Sequence, residues 1–501
     1  MGETMGSWFP GGSALTAGDY LVLAAALGVM VWLGRRAGRN TRGPDDYVRA
    51  GGRVPATAAA VSFLATEVSA LTVIGVPALA FRGNWNYLQF FVGSAAARVL
   101  VAGLFLPAFH AADGGTIYGY LGRRFGPRAH AAGAGFFFVT RLLASGVRLM
   151  LAAAAAGAML GWGVPPMVIL FVGVGVASLW SGGVESAVWT NIFQAACFLG
   201  AGVLSAAFIL HHVDGGIPAA LRIAQAAGKL DVLRWSSPRG GFWTRAFSDP
   251  RVFWAAVLNG FFGSAAAFGA DYEMTQKLLT APSPRDSRRA LLLSIPFSLA
   301  TLLLYMSVGT LMFVYYKQNP GLALPASLDR IYPYFAATVM PRFLRGTVLT
   351  AIVMASIDSP LASLSAVFVA DVYRPLAARA PSAARELALS RRALAAFAVV
   401  LGVAALFFSS FDGAVWLAFK IGGVTYGSLL GIFLLGLLTD RVLDGAAAGA
   451  MLAAALLNAV LLVLSQRGLI ALGWSWLIVV GTAVTFGLGW ISSEPASSGR
   501  R

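Results

Sequence analysis

Ser62-Phe-Leu-Ala-Thr-Glu-Val-Ser-Ala-Leu-Thr-Val-Ile-Gly-Val-Pro77 sets one carboxylate, Glu67, and three hydroxyls, Thr66, Ser69 and Thr72, inside a run otherwise apolar enough to span a bilayer. An ionisable group at membrane depth costs several kcal/mol unless it meets a partner or a wet cavity, so by default it marks a solute or ion pathway. The competing explanation is a hydrogen bond buried between two helices.

The rest of the chain supplies the membrane context. Hydrophobic residues make up 58% and charged residues 12%, with a mean hydropathy of +0.74, where a soluble chain carries roughly 25% charged residues. Apolar runs of about 20 residues fall near 16–34, 56–81, 85–109, 130–157, 161–181, 185–210, 252–279, 291–316, 346–370, 393–410, 414–438, 443–465 and 470–491. Thirteen spans predict termini on opposite sides. Insertion keeps basic residues of short loops in the cytoplasm, and Arg35, Arg36, Arg39, Arg42, Arg49 and Arg53 follow the first span. Alternate loops agree, with Arg123, Arg124 and Arg128, then Lys277, Arg285, Arg288 and Arg289, then Arg374, Arg379, Arg385, Arg391 and Arg392. This predicts a multi-pass inner (plasma) membrane protein, N-terminus outside and C-terminus cytoplasmic. The net charge of +16 is then a topology signal that also attracts anionic lipid of the bilayer, not a nucleic-acid surface. The first apolar run follows no basic segment and reads as a retained anchor. A single cysteine, Cys197, excludes an intrachain disulfide, and the four histidines lack ligand spacing, so no transition-metal site is expected.

Two loops are long, 212–250 and 317–345, and both fall outside by this count. Their Pro, Gly and aromatic residues, as in Ile331-Tyr-Pro-Tyr-Phe335, suit short packed helices over a cavity. Setting the first span aside, the next ten divide into two sets of five whose first members are both interrupted: around Glu67–Ser69, and at Asn259-Gly-Phe-Phe-Gly-Ser264. Matching interruptions in two halves point to an inverted-repeat transporter with a site at the midplane. Glycine in a membrane helix also serves close packing.

Several motifs resemble the sodium:solute symporter family: Tyr47-Val-Arg-Ala-Gly-Gly-Arg53, Ser69-Ala-Leu-Thr-Val-Ile-Gly-Val-Pro77, Thr116-Ile-Tyr-Gly-Tyr-Leu-Gly-Arg-Arg-Phe-Gly126, Ser181-Gly-Gly-Val-Glu-Ser-Ala-Val-Trp-Thr-Asn-Ile-Phe-Gln194, Gln276-Lys277, and Ser356-Ile-Asp-Ser-Pro-Leu-Ala-Ser-Leu-Ser365 closing at Asp371-Val-Tyr373. The likeness runs from about residue 46 to 440 and, in Ser-Ala-x-Thr-Val-x-Gly-x-Pro, sits closer to the iodide and vitamin branch than to the sugar branch. It implies an all-α membrane protein of the LeuT type working by alternating access. An accessory helix and basic loop would occupy 1–45, the first inverted repeat 46–211, an outer loop 212–250, the second repeat 251–440, and two accessory helices with a short tail 441–501.

The resemblance also implies a sodium ion between the first and eighth core helices. Its ligands here would be the carbonyls of Ala65, Val68 and Ile352 and hydroxyls at 355 and 356, which read Ala355 and Ser356, so one hydroxyl is missing. The chemistry is general: a hard cation needs several oxygens and little water, and an unwound helix frees carbonyls. At about 100° per residue, Ile352, Ser356, Ser359 and Ser363 form one stripe flanked by Asp358. Relatives with an additional sodium site carry aspartate where this chain reads Trp189-Thr190-Asn191. Asp358 is thus a candidate sodium carboxylate that has changed helices; the alternatives are a proton carrier or a structural partner of an arginine.

Three arginines lie within apolar spans: Arg98, Arg141 and Arg148. Such groups face the bundle interior and find carboxylates, carbonyls or an anionic ligand; Arg141 has the option of snorkelling to one surface. Arg148 is deeper, and two assignments compete for it, an ion pair with Glu67 or a fork for a substrate carboxylate. Position in the broken helices adds Thr66, Glu67, Thr72, Asn86, Gln89, Asn259 and Ser264 to the expected pocket and Tyr426 as a gate. The function these residues favour is sodium-coupled symport of a small organic, possibly anionic, solute, with sodium as coupling ion and no other cofactor. Proton coupling stays open, as does a membrane sensor, although only residues 492–501 follow the last span. A membrane enzyme would need a nucleophile-base pair or metal set at one depth, and none is visible.

Overall fold

The computed structural model describes residues 15–41, 43–111, 116–236, 247–325, 327–355, 359–377, 382–410, 414–441 and 445–494. Its elements are helices: α1 (Ala17–Ala37), α2 (Ala56–Glu67), α3 (Leu71–Arg82), α4 (Trp85–Ala111), α5 (Ile117–Phe125), α6 (Pro127–Leu160), α7 (Val164–Leu179), α8 (Val184–His211), α9 (Gly216–Ala226), α10 (Phe253–Ala270), α11 (Tyr272–Leu279), α12 (Pro284–Gln318), α13 (Ile331–Thr338), α14 (Leu344–Met354), α15 (Ser359–Val367), α16 (Ala383–Phe408), α17 (Ala414–Leu438), α18 (Ala446–Gln466) and α19 (Leu477–Ile491). Ten described helices are long and apolar enough to cross a membrane, and the bent pair α2–α3 makes an eleventh. Thirteen spans were expected. The difference lies in α7 and α14, whose 16 and 11 residues are shorter than the roughly 17–25 a straight crossing needs.

Burial sorts the bundle. In the most apolar stretch of α6 and of α17, 67% of residues are buried inside the protein, against 28% in α1 and α18. The first two therefore form the centre, while α1 and α18 give most of their apolar surface to lipid.

The α2–α3 break falls where the sequence places it. Val68 leaves the helix at φ −74°, ψ 115°, and the two halves meet at 62°. The Ser69 amide donates to the Thr72 hydroxyl at 3.5 Å, so the Ala65 carbonyl loses its helical partner four residues on. Pro77 contributes from the other side: its ring would clash with the carbonyl four residues back, and a wide π-turn over Leu71–Gly75 precedes it.

The second break is not at 259–264. The chain stays helical through Ala270 and leaves the helix at Asp271 (φ −107°, ψ 122°), whose carboxylate accepts the Glu273 amide at 2.9 Å and caps α11. The glycines that suggested an earlier break serve packing. A Cβ on Gly260 would lie 2.0 Å from the Phe90 carbonyl, and one on Gly93 would lie 2.0 Å from that of Val257, so α4 and α10 touch backbone to backbone. The run that carries the serine stripe is helical through Met354, where α14 ends. Ser356, Asp358 and the Ser359 side chain lie outside the described residues.

The family motifs act as staples at the arginine-rich face. Gln276 donates to the Val48 carbonyl at 2.9 Å and the Val54 amide to the Thr280 carbonyl at 3.2 Å, tying the 47–54 segment to α11. Asp371 binds Thr116 and, at 2.8 Å, His130. At the opposite face Asp19 of α1 accepts the amides of Phe343 and Gly346 at 2.9 and 3.0 Å, capping α14.

Candidate functional site

A cavity of about 310 Å³ lies between α2–α3, α4, α6, α10, α12 and α17, and its lining rises to Tyr87, Phe90 and Trp474 at the face that carries the long loops. Glu67, Thr72, Arg148, Asn259, Ser264 and Tyr426 all line it. The hydroxyl of Ser264 donates to Ser94 at 2.7 Å, and Asn259 reaches the Ser475 carbonyl at 2.8 Å.

Glu67 is held by Arg98, not by Arg148. The Arg98 guanidinium, 0% exposed, places Nη2 2.6 Å from both carboxylate oxygens. Nη1 and Nε donate to Ser94 (2.7 Å) and Ser294 (3.1 Å), Nη2 also reaches Ser298 (3.0 Å), and the guanidinium carbon lies 4.6 Å from the centre of the Phe268 ring. Ser298 adds a hydrogen bond to Glu67 Oε2 at 2.6 Å. Charge and hydrogen bonds are both satisfied, as a buried ion pair requires. Arg148, half-buried, makes no hydrogen bond or ion pair with any described residue. The expected Arg148–Glu67 pair is thus replaced because α4 presents a guanidinium directly against the α2 break.

Two expected pocket residues do other work. Asn86 donates to the carbonyls of Asp231 and Val232 at 3.1 and 2.9 Å. Gln89 donates to the Asn86 and Arg251 carbonyls, both at 3.0 Å, and accepts the Arg234 amide at 3.0 Å. Their amides anchor the long loop onto α4, and neither residue lines the cavity. Sequence position alone did not distinguish facing the pocket from facing the loop.

On the arginine-rich side of this cavity lies a smaller one of about 40 Å³. Ala65, Thr66, Val68 and Ala355 line it, together with Ser69, Ser145, Gln194 and Glu273. The Ala65 and Val68 backbones stand at the α2 break beside it, and Ile352 is buried two residues before α14 ends, among the last carbonyls of a helix that lack an internal partner. Thr66 donates to the Ser62 carbonyl at 2.9 Å. Asn191 turns its amide donors toward the Ser62 and Thr66 hydroxyls, at 3.1 and 3.0 Å.

Arg141 does not snorkel. It is 2% exposed and bound to both Asp271 and Glu273. Tyr426 joins them, accepting from Arg141 at 3.1 Å and donating to Asp271 Oδ2 at 2.9 Å. With Tyr118 donating to the Ala270 carbonyl at 3.2 Å and Phe63 set edge-on to Phe268 at 5.1 Å, this layer closes the molecule beneath the large cavity. Two carboxylates inside the apolar 252–279 run were the signal for it, by the same cost argument that singled out Glu67.

Apolar helices around a charged cavity, with discontinuous helices on either side and a closed layer beneath, define a secondary transporter of the LeuT type. The chain matches the sodium:solute symporter family over residues 47–456 and belongs to it. It is a sodium-coupled solute symporter and a multi-pass membrane protein. The sodium/sialic acid symporter of Proteus mirabilis is 29% identical over 440 residues, covering 86% of each chain. The human sodium/iodide cotransporter is 26% identical over 476 residues, covering 89% of this chain and 69% of its own. A solved sodium-coupled sialic acid symporter, in a substrate-bound outward-open state with a novel sodium site, superposes with a TM-score of 0.84 at 25% identity, over 96% of this chain and 99% of the other.

Proposed function

We propose that this symporter takes up a small organic anion, most simply a carboxylate, and that Arg148 is the fork that receives it. The observation that carries this reading is the charge inventory of the large cavity. Glu67 and Arg98 cancel, leaving the Arg148 guanidinium as the lining charge with no ion-pair partner among the described residues. A guanidinium presents paired donors that match a carboxylate in plane. About 310 Å³ is at the lower end of sites for small organic ligands, roughly 300–1,000 Å³. Sialic acid, iodide and monocarboxylates, which relatives are named for, are all anions.

Thr72, Asn259 and Ser264 are the polar groups placed to orient the solute, with Glu67 a satisfied wall. Tyr426 sits where the cavity floor meets the closed layer and acts as an inner gate. Ala65, Val68 and Ile352 offer carbonyls to sodium; Ser356, Ser359 and Asp358 complete the proposed set. The arginine bias of alternate loops and the likeness to an outward-open relative support a cavity facing outside, with the C-terminus in the cytoplasm.

The test is thermal stabilisation of the purified protein by N-acetylneuraminate, short monocarboxylates, iodide and uncharged sugars, each in sodium and in potassium. Anions should stabilise it in sodium, and Arg148→Ala should raise the half-saturating concentration at least tenfold, on the order of one lost charge-assisted contact, with normal protein yield. Stabilisation by uncharged sugars in preference to anions would contradict the reading.

A further inference from the structure

Val68 and Arg148 line both cavities and so form the partition between them. Beneath it, the small cavity of about 40 Å³ exceeds the 10–15 Å³ or so that one water needs and accommodates a small cation with part of its hydration. Among the described residues that line it there is one carboxylate, Glu273, 1% exposed. One of its buried polar atoms, Ser145 Oγ, has no hydrogen-bond partner among the described residues, and Glu273 Oε2 meets the Arg141 guanidinium that Asp271 shares. An orphan such as Ser145 Oγ is rare in folded proteins and marks a place for an occupant. The charge balance favours a cation: Asp271 and Glu273 share the single Arg141, two negative charges against one positive, leaving one negative in excess. Arg148, on the same wall, opposes it.

Resting on the reading that the large cavity takes an anion at Arg148, we propose that Glu273 supplies the negative charge of a cation site in the small cavity and that Arg148 couples the two sites. With the large cavity empty, the guanidinium repels a cation below. An anion seated above offsets that charge, and the cation then settles against Glu273 and the Ser145 hydroxyl. Linkage is reciprocal, so sodium raises the affinity for the anion by the same factor. The arrangement suits a chain in which one hydroxyl is absent at Ala355 and the side chain at 191 points amide donors, which cannot ligate a cation, at Ser62 and Thr66.

Sodium alone tests this without a solute. Sodium affinity is measured on the purified full-length protein, by tryptophan fluorescence with potassium holding ionic strength constant, for the native chain, Arg148→Gln, Glu273→Gln and Glu273→Asp. Arg148→Gln should bind sodium more tightly, on the order of tenfold for a unit charge removed at this range in a partly wet interior. Glu273→Gln should weaken it by a similar factor, and Glu273→Asp, which keeps the charge, should retain most of the affinity. Unchanged or weaker binding in Arg148→Gln overturns the coupling; unchanged binding in Glu273→Gln overturns the site. If Glu273→Gln fails to fold, Ser145→Ala, which removes the other proposed ligand, should weaken sodium binding; unchanged binding there overturns the site, and the Arg148→Gln titration still decides the coupling. Sodium results as expected with no anion stabilising the native protein would refute the anion reading alone.

Discussion

Glu67 is tolerated at membrane depth because Arg98 closes on it from α4 and Ser298 donates to it, while Ser94 and Ser294 accept the remaining Arg98 donors. Removing the carboxylate strands a guanidinium that is 0% exposed, and breaking such a pair costs about 3–5 kcal/mol. Glu67→Gln should therefore lower the thermal midpoint in detergent sharply, and Arg98→Gln likewise. The double variant should recover part of the loss, with an interaction energy of about 0.5–3 kcal/mol in the cycle; strictly additive losses would show that the pair is not coupled. Glu67 was legible in the sequence because a lone carboxylate in an apolar run has few explanations. Its partner was not, since 31 residues separate the two and no spacing rule links different helices. Asp271 and Glu273 were open to the same cost argument, but they sit one turn from Gln276 and Lys277, where a polar helix end explains a charge cheaply.

The broken helices position the carboxylates of the site, Glu67 at the α2 break and Asp271 and Glu273 at the start of α11. Hydropathy locates spans within a few residues, as α6 and α18 show, but it does not say where a helix stops within one. The α2–α3 break was legible because hydroxyls, valines and Pro77 coincide. In α10 the glycines read equally as break or as contact, and only the approach of the Phe90 and Val257 carbonyls decides for contact. Gly260→Ala should accordingly force α4 and α10 apart at about 1–3 kcal/mol, lowering the thermal midpoint. Gly103→Ala, where a Cβ meets nothing within 4 Å, should change stability by less than about 0.5 kcal/mol. Equal effects at the two positions would refute the packing account of the α10 glycines.

In the molecule as a whole, the two faces differ in kind. The loop-rich face is open down to Glu67 and Arg148. The arginine-rich face is held by the Arg141–Asp271–Glu273–Tyr426 layer and by the Gln276–Val48, Thr280–Val54 and Asp371–His130 contacts, to which the family-like motifs contribute Val48, Gln276 and Asp371. Composition and motif order made the membrane class and the architecture readable from the sequence. The pocket was readable only in part: Thr72, Glu67, Arg148, Asn259 and Ser264 meet in it, whereas Asn86 and Gln89 turn to a loop whose docking no local pattern encodes. The account stands most directly on uptake by reconstituted vesicles. Radiolabelled N-acetylneuraminate and a short monocarboxylate are offered under an inward sodium gradient or an equal potassium gradient, to the native chain and to Arg148→Ala. Accumulation of at least one anion that requires sodium, and that falls at least tenfold in the equally well incorporated Arg148→Ala, is the predicted result. Accumulation indifferent to sodium, or undiminished without the Arg148 guanidinium, would contradict it.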